Sequence, residues 1–421
     1  MHDYFLSAIV LLVVIAVGVK SASIFITPFN IPFYKFYNPE ESKLGIKQPT
    51  TRERIADHGY PVEHHHIVTE DGYILGVFRI PYSHNLHNQE EYRPIVLIQH
   101  GLMGGSDAWV SVGPNDALPY MLVDSGFDVW LGNGRGNTYS RNHTSRSAEK
   151  SDFWCFSWHE IGYYDIAATI DFTLKINGQE QKSIHYVGHS QGTTAFFTLM
   201  SLRPEYNEKI KTAHMFAPVA IMTHMKNKLV RLLSFFLGHA NIFSLLFSNK
   251  EFLPYNRYFL AMIYNICGHD RLLRPVCIYI VQKFYNSRRW NKTALSEGIG
   301  VLPAGCSTNQ ILHYLQEQQS GHFRQFDHGP KKNQEVYRLD HPPDYPVEKI
   351  ICKVHLWYSD NDVMTSVEDV LAFAKRLPNK ELHHIDDPKW DHDDFALNMK
   401  LRTYLNEPVI RIISNFEKSL N

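Results

Sequence analysis

Between Ser183 and Thr194 the chain reads SIHYVGHSQGTT: a short apolar run, a serine boxed between Gly188 and Gly192, and the start of a helix-like segment. That segment, Thr193–Leu202, is closed by Pro204. A strand that passes into a helix through so short a connection leaves few architectures open. The turn must be sharp, and it lifts the serine hydroxyl above the sheet edge. Side chains at 188 and 192 would strike neighbouring backbone. The first N–H groups of the helix then point at the serine, where negative charge can be held. Ser190 is therefore a candidate nucleophile. The other reading is a polar residue in an ordinary turn.

The surrounding rhythm supports the first reading. Tyr73–Ile80 is a strand candidate, and so are Pro94–Gln99 (PIVLIQ), Phe127–Leu131 and Ile184–Val187. Asp165–Leu174 has helical spacing. Strand and helix alternating in this way predict a parallel sheet wrapped by helices, an α/β fold. The rhythm breaks near Ala220. Aromatic and aliphatic runs such as LVRLLSFFLGHANIFSLLF follow, and they read as helix. It returns at Ile350–Tyr358, with a helix at Val367–Arg376. The expected organisation is a signal peptide over 1–21, an N-terminal arm over 22–60, a first core part over 61–220, a helical cap and lid over 221–345, and a second core part over 346–421.

Length and composition agree with this. A chain of 421 residues, 44% hydrophobic, can bury a large core carrying an insertion. The formal net charge is −1 and no long Lys/Arg run occurs, which excludes nucleic acid as a partner on electrostatic grounds. The apolar run Phe5–Val19 is shorter than the ~20 residues that span a bilayer, and small residues follow it at Ser21, Ala22 and Ser23. This pattern predicts a cleaved secretory signal, although the first four residues carry an Asp and no Lys or Arg, as an uncleaved anchor could. No transmembrane segment is expected after cleavage. The aromatic-rich stretch Ile24–Pro49 reads as a pro-segment, a packed arm or a lipid contact. Five cysteines in an oxidising compartment leave at least one unpaired. Cys267 and Cys277 could close a small loop, and Cys155 and Cys352 read as buried free thiols. Sequons at Asn142 and Asn291 predict glycosylation of a secreted surface.

A serine hydroxyl attacks only when a base takes its proton. On a strand–turn–helix of this kind the acid and then the histidine follow the serine in the chain. Asp362 stands just past the KVHLWY strand, with Asp360 as competitor. His392 stands near the C-terminus, with His383 and His384 as competitors among 24 histidines. His189 cannot easily turn back on its neighbour. Two N–H donors must hold the oxyanion. Gln191 follows the serine, and Leu102 lies in the Gly-rich loop HGLMGG after the PIVLIQ run.

The chain resembles the acid lipase family, which includes gastric and lysosomal acid lipases and many insect members. The matching runs are VTEDGYILGVFRIP, QHGLMGGS, GFDVWLGNGRGNTYSRNH, FSWHEIGYYDIAATIDF, HYVGHSQGTT and LPAGCSTNQILHYLQ, spread over most of Tyr60 to His392. The resemblance implies an α/β-hydrolase fold with an inserted helical cap and movable lid. It implies hydrolysis of long-chain lipid esters at a lipid–water interface, without metal or cofactor. It assigns the nucleophile to Ser190, the acid to Asp362, the base to His392, the oxyanion donors to Leu102 and Gln191, and a lid disulfide to the region of Cys267 and Cys277. The sequence departs from the family at Gly134, where GNSRGN is usual, at Cys155 and at Asp360.

The expected substrate is a long-chain acylglycerol. Alternatives are a sterol (cholesteryl) ester, a peptide or thioester, and a catalytically silent lipid-binding role. Near-zero net charge makes apolar contact the basis of adsorption, and the expected destination is extracellular or lysosomal. Carboxylates at Asp386, Asp387, Asp391, Asp393 and Asp394 surround His392 in sequence. Negative charge there raises a histidine pKa, which predicts an optimum nearer neutral than the family name suggests.

Overall fold

The computed structural model describes residues 49–253, 272–273, 275–276 and 303–420. The expected signal segment, Cys267, Cys277 and the sequon at Asn291 lie outside the described residues. One sheet organises the rest. Its strands are β1 (Glu63–Val68), β2 (Tyr73–Ile80), β3 (Ile95–Gln99), β4 (Asp128–Gly132), β6 (Ile184–His189), β7 (Ile210–Phe216), β10 (Val354–Tyr358) and β11 (Lys380–His384). The short β5 (Asn142–His143) adds to β2, while β8 (Glu251–Phe252) and β9 (Cys306–Ser307) pair separately. The order is β1-β2-β4-β3-β6-β7-β10-β11. The first two pairings are antiparallel and every pairing from β4 to β11 is parallel.

Parallel strands covered on both faces need apolar side chains on both, so they read as runs rather than alternations. In β3 every side chain is buried. Ile95 and Leu97 join a cluster with Tyr186, Phe196, Phe197 and Leu356. Val96 and Ile98 join Val187, Phe216, Trp357 and Ile413 on the other face. The covering helices include α1 (Ala167–Ile176), α2 (Gln191–Leu202), α6 (Val367–Arg376) and α7 (Glu407–Leu420). After β3 the chain adds β4 on one side and later β6 on the other. This reversal opens a crevice at the carboxyl ends of β3 and β6, the place where open α/β sheets bind ligands.

The expected strand Tyr73–Ile80 and helix Val367–Arg376 occur at those bounds. The apolar run after Ala220 forms two helices rather than one, α3 (Lys228–Leu237) and α4 (Ile242–Phe247), each started by an asparagine cap at Asn227 or Asn241. The break is at Gly238, where a Cβ would lie 2.6 Å from the Leu315 carbonyl oxygen of α5 (Thr308–Ser320). Cys155 departs from expectation. It is exposed, because Phe153, Trp154 and Phe156 take the inward positions around it, whereas Cys352 and Cys306 are buried free thiols. No helix among the described residues is long and apolar enough to cross a membrane.

Candidate active site

β6 ends at His189 and α2 begins at Gln191, so Ser190 alone makes the turn. Its φ is 51° and ψ −116°, a left-handed backbone that costs a non-glycine residue of order 1–3 kcal/mol. The surroundings hold it there. The Ser190 N–H donates to the Phe216 carbonyl at 3.0 Å, and the Thr193 hydroxyl donates to the Ser190 carbonyl at 2.6 Å. The glycines serve close approach. A Cβ at Gly188 would lie 2.8 Å from the Gly192 carbonyl carbon, and one at Gly192 would lie 2.6 Å from the Gln99 carbonyl oxygen.

Two distant loops bring Asp362 and His392 to this turn. His392 Nε2 lies 2.8 Å from Ser190 Oγ, and His392 Nδ1 lies 2.9 Å from Asp362 Oδ2. A carboxylate can only accept, so Nδ1 carries the proton and Nε2 is left to accept from the hydroxyl. Asp362 is buried. Its Oδ1 accepts from the Met364 and Thr365 N–H groups at 2.8 Å each, and its Oδ2 accepts from the Thr365 hydroxyl at 2.7 Å. Burial opposes its charge, yet His392 and the Thr365 bonds outweigh burial and hold the carboxyl below its ordinary range. For His392, burial opposes protonation. The Asp362 carboxylate and its hydrogen bond, with Asp393 and Asp391 behind, overcome this and raise it to about 9.

The competitors lie elsewhere. Asp360 is exposed and pairs with His384 at 3.1 Å, and His383 Nε2 meets His355 Nδ1 at 2.9 Å. The carboxylates around His392 divide the work. Asp391 accepts from the His392 backbone N–H at 2.7 Å, Asp394 accepts from the Asp391 N–H at 2.8 Å, and Asp387 pairs with Lys400 at 2.9 Å.

Gly101 passes so close to Ser190 that a Cβ on it would lie 3.1 Å from the serine Cβ. This sets Leu102 and the turn closed by Gly104 N–H to Gly101 O, 3.1 Å, beside the nucleophile turn. Gln191 opens α2, and its side-chain oxygen accepts from Gln310 of α5 at 3.2 Å. The residue pattern did not announce the bonding roles of two histidines. His100 Nδ1 donates to the Gly101 carbonyl at 2.8 Å while its Nε2 accepts from the Gly134 N–H at 3.0 Å. Burial brings it down to about 4, so it stays neutral, as this pair of roles requires. His189 Nε2 donates to the His392 carbonyl at 3.1 Å, and burial holds it at about 3. The Gly134–His100 and His189–His392 contacts join residues far apart in sequence, and no local spacing announces them. At the unusual Gly134, a Cβ would meet Ile161 at an ordinary 3.6 Å, so the serine of the family pattern would fit. Among the described residues, metal-type side chains cluster at His355, Glu381 and His383 and not around Ser190.

Comparison with known proteins identifies the family and the fold. A family model described as a partial alpha/beta-hydrolase lipase region matches residues 51–113, and one described as alpha/beta hydrolase fold matches 94–396. The chain is 40% identical to Lipase 3 of Drosophila melanogaster, over 87% of this chain and 93% of that one. It is 36% identical to human gastric triacylglycerol lipase over 86% and 89%, and 37% identical to mouse lipase member M over 84% and 83%. A soluble variant of monoglyceride lipase from Saccharomyces cerevisiae shares the fold with TM-score 0.52 at 14% identity, covering 90% of this chain and 99% of that one.

Proposed function

The chain belongs to the lipase family of the α/β-hydrolase fold, and from that premise we propose that it cleaves long-chain acylglycerols through an acyl-enzyme on Ser190. The observation that carries the reading is the continuous bonding from Ser190 Oγ through His392 to Asp362, at 2.8 and 2.9 Å. His392 takes the hydroxyl proton as Oγ attacks the ester carbonyl carbon. The carbonyl electrons move onto oxygen, where the N–H groups of Leu102 and Gln191 hold the charge. Collapse expels the glycerol oxygen, which takes the proton from His392. Water then repeats the sequence on the acyl-enzyme, releasing the fatty acid and restoring Ser190. Asp362 stays ionised throughout, fixing the imidazole tautomer and stabilising its cation.

The cap supplies a surface for lipid. On α3 and α4, Phe235, Phe236, Ile242, Phe243, Leu245 and Leu246 are exposed, with Leu245 68% accessible. Large apolar side chains exposed together on two neighbouring helices mark an interaction site, and adsorption to a lipid–water interface would cover them. Asn142 is exposed on β5, as a glycosylated asparagine must be, in keeping with a secreted or lysosomal destination.

The test is fatty-acid release from emulsified long-chain triacylglycerol, run beside cholesteryl oleate and after treatment with an alkyl phosphonate. Triacylglycerol is expected to be the better substrate, and the phosphonate to label Ser190 with loss of activity. Preference for the sterol ester would reassign the substrate. A label on another residue would overturn the mechanism.

The pH profile follows from His392. A general base must be neutral, and this imidazole is held above the ordinary value of ~6.5. Activity is therefore lost as pH falls through the raised value, and the acid limb of kcat/KM on a soluble ester is expected above pH ~6.5. Full activity near pH 4.5 would refute it. In Asp393→Asn, which removes one of the charges raising His392, the limb should move to lower pH.

A further inference from the structure

At the far edge of the sheet from β1, three metal-type ligands converge. His355 on β10 is paired in register with Glu381 on β11, and His383 lies two residues further along β11, so all three occupy one face. His355 Nδ1 and His383 Nε2 are 2.9 Å apart. Glu381 Oε2 is 3.8 Å from His355 Nδ1, and Glu381 Oε1 is 3.6 Å from His383 Nε2. Ligands about 2.0–2.1 Å from a tetrahedral zinc ion stand roughly 3.4 Å from one another, near the middle of these separations. From this convergence we propose that His355, His383 and Glu381 bind one Zn²⁺ ion, with water completing the site.

The donor set suits zinc, which favours imidazole nitrogen with carboxylate oxygen. The rings are held in place by stacking. His214 lies parallel to His355 with centroids 4.6 Å apart, and Trp357 lies against His383 at 4.1 Å. Both imidazoles are kept neutral by burial, the form that coordinates. Glu381 is exposed and His383 half-buried, which gives the ion a route from solvent. Lys353 Nζ lies 3.1 Å from Glu381 Oε2, so Oε1 can turn to the metal while Oε2 keeps the lysine. The ion would tie β10 to β11. β10 leads to Asp362 and β11 leads towards His392, so the site would brace the platform carrying the acid and the base without touching the ester.

The experiment is calorimetric titration of chelator-treated full-length protein with ZnCl₂, with thermal unfolding in parallel and Co²⁺ as a spectroscopic probe. One tight equivalent per chain is expected, with a rise in Tm and a tetrahedral-type cobalt absorption. Glu381→Gln changes only an exposed side chain and should fold. It and His383→Gln should each weaken binding by at least the roughly hundredfold that losing an outer-shell partner can cost and abolish the cobalt band. His64 and His66, whose rings lie 4.6 Å apart on β1, are the control. Absence of a saturable site overturns the proposal. So does binding that survives Glu381→Gln and disappears on substitution of His64 and His66.

Discussion

Ser190→Ala is expected to lower kcat on a soluble ester by about 10⁴- to 10⁶-fold while Tm stays within a degree or two. The asymmetry follows from where the hydroxyl sits. Its hydrogen bond to His392 serves the reaction. The strained backbone at 190 is held by the Phe216 carbonyl and Thr193, which alanine leaves untouched. Asp362→Asn should cost about 10⁴-fold for a different reason. An amide facing His392 can donate its N–H to Nδ1, which moves the ring proton to Nε2 and removes the acceptor that Ser190 needs. The double variant should be no slower than Ser190→Ala, because residues acting as one unit do not contribute additively. Single-turnover kinetics on the folded variants give the answer. Ser190→Ala retaining more than about a hundredth of the activity would mean that another nucleophile carries the reaction.

Much of this site could be read from the residues because its chemistry imposes local rules. Gly188 and Gly192 are fixed by close backbone approach, and the apolar runs of β3, β4 and β6 by burial on both faces. The strands that escaped are those whose pattern is interrupted by polar residues with particular partners. β1 reads EHHHIV and has one face in solvent. In β7 the buried His214 stacks on His355 of the neighbouring β10. Such histidines look like polar interruptions until the neighbouring strand supplies the partner. The choice of Asp362 over Asp360 is a similar case. Both lie in the same loop, and only the tertiary position of His384 takes Asp360 away. The bonds of His100 and His189 were hidden because their partners, the Gly134 N–H and the His392 carbonyl, come close only after folding.

The largest stability effect is expected at Arg135, in the GNGRGN run. Its side chain is buried and forms paired hydrogen bonds with Asp71 at 2.5 and 2.8 Å, and it meets Asp165 at 2.6 Å. The guanidinium also lies 3.9 Å over the Tyr73 ring. Arg135→Met would leave the buried carboxylate of Asp165 without its counter-charge, and breaking a buried pair in this way costs about 3–5 kcal/mol. At roughly 2.1 cal/mol/K per residue for the entropy of unfolding, a chain of this size should lose about 3–6 °C in Tm. The loss comes from the orphaned charge more than from the missing attraction. Asp165 also accepts from the Arg135 backbone N–H at 2.9 Å, so Asp165→Asn keeps that acceptor and removes the charge. Adding Asp165→Asn to Arg135→Met should therefore restore about 2 kcal/mol. A double variant less stable than the single one would mean that the attraction itself was the larger share. The effect should also reach the reaction centre. The turn carrying Arg135 presents the Gly134 N–H to His100 Nε2, and His100 in turn holds the Gly101 carbonyl beside Ser190. Below its melting transition, Arg135→Met should therefore lose about tenfold or more in kcat, because small misplacements of transition-state donors are costly. Unchanged kcat would separate the ion pair from the oxyanion loop.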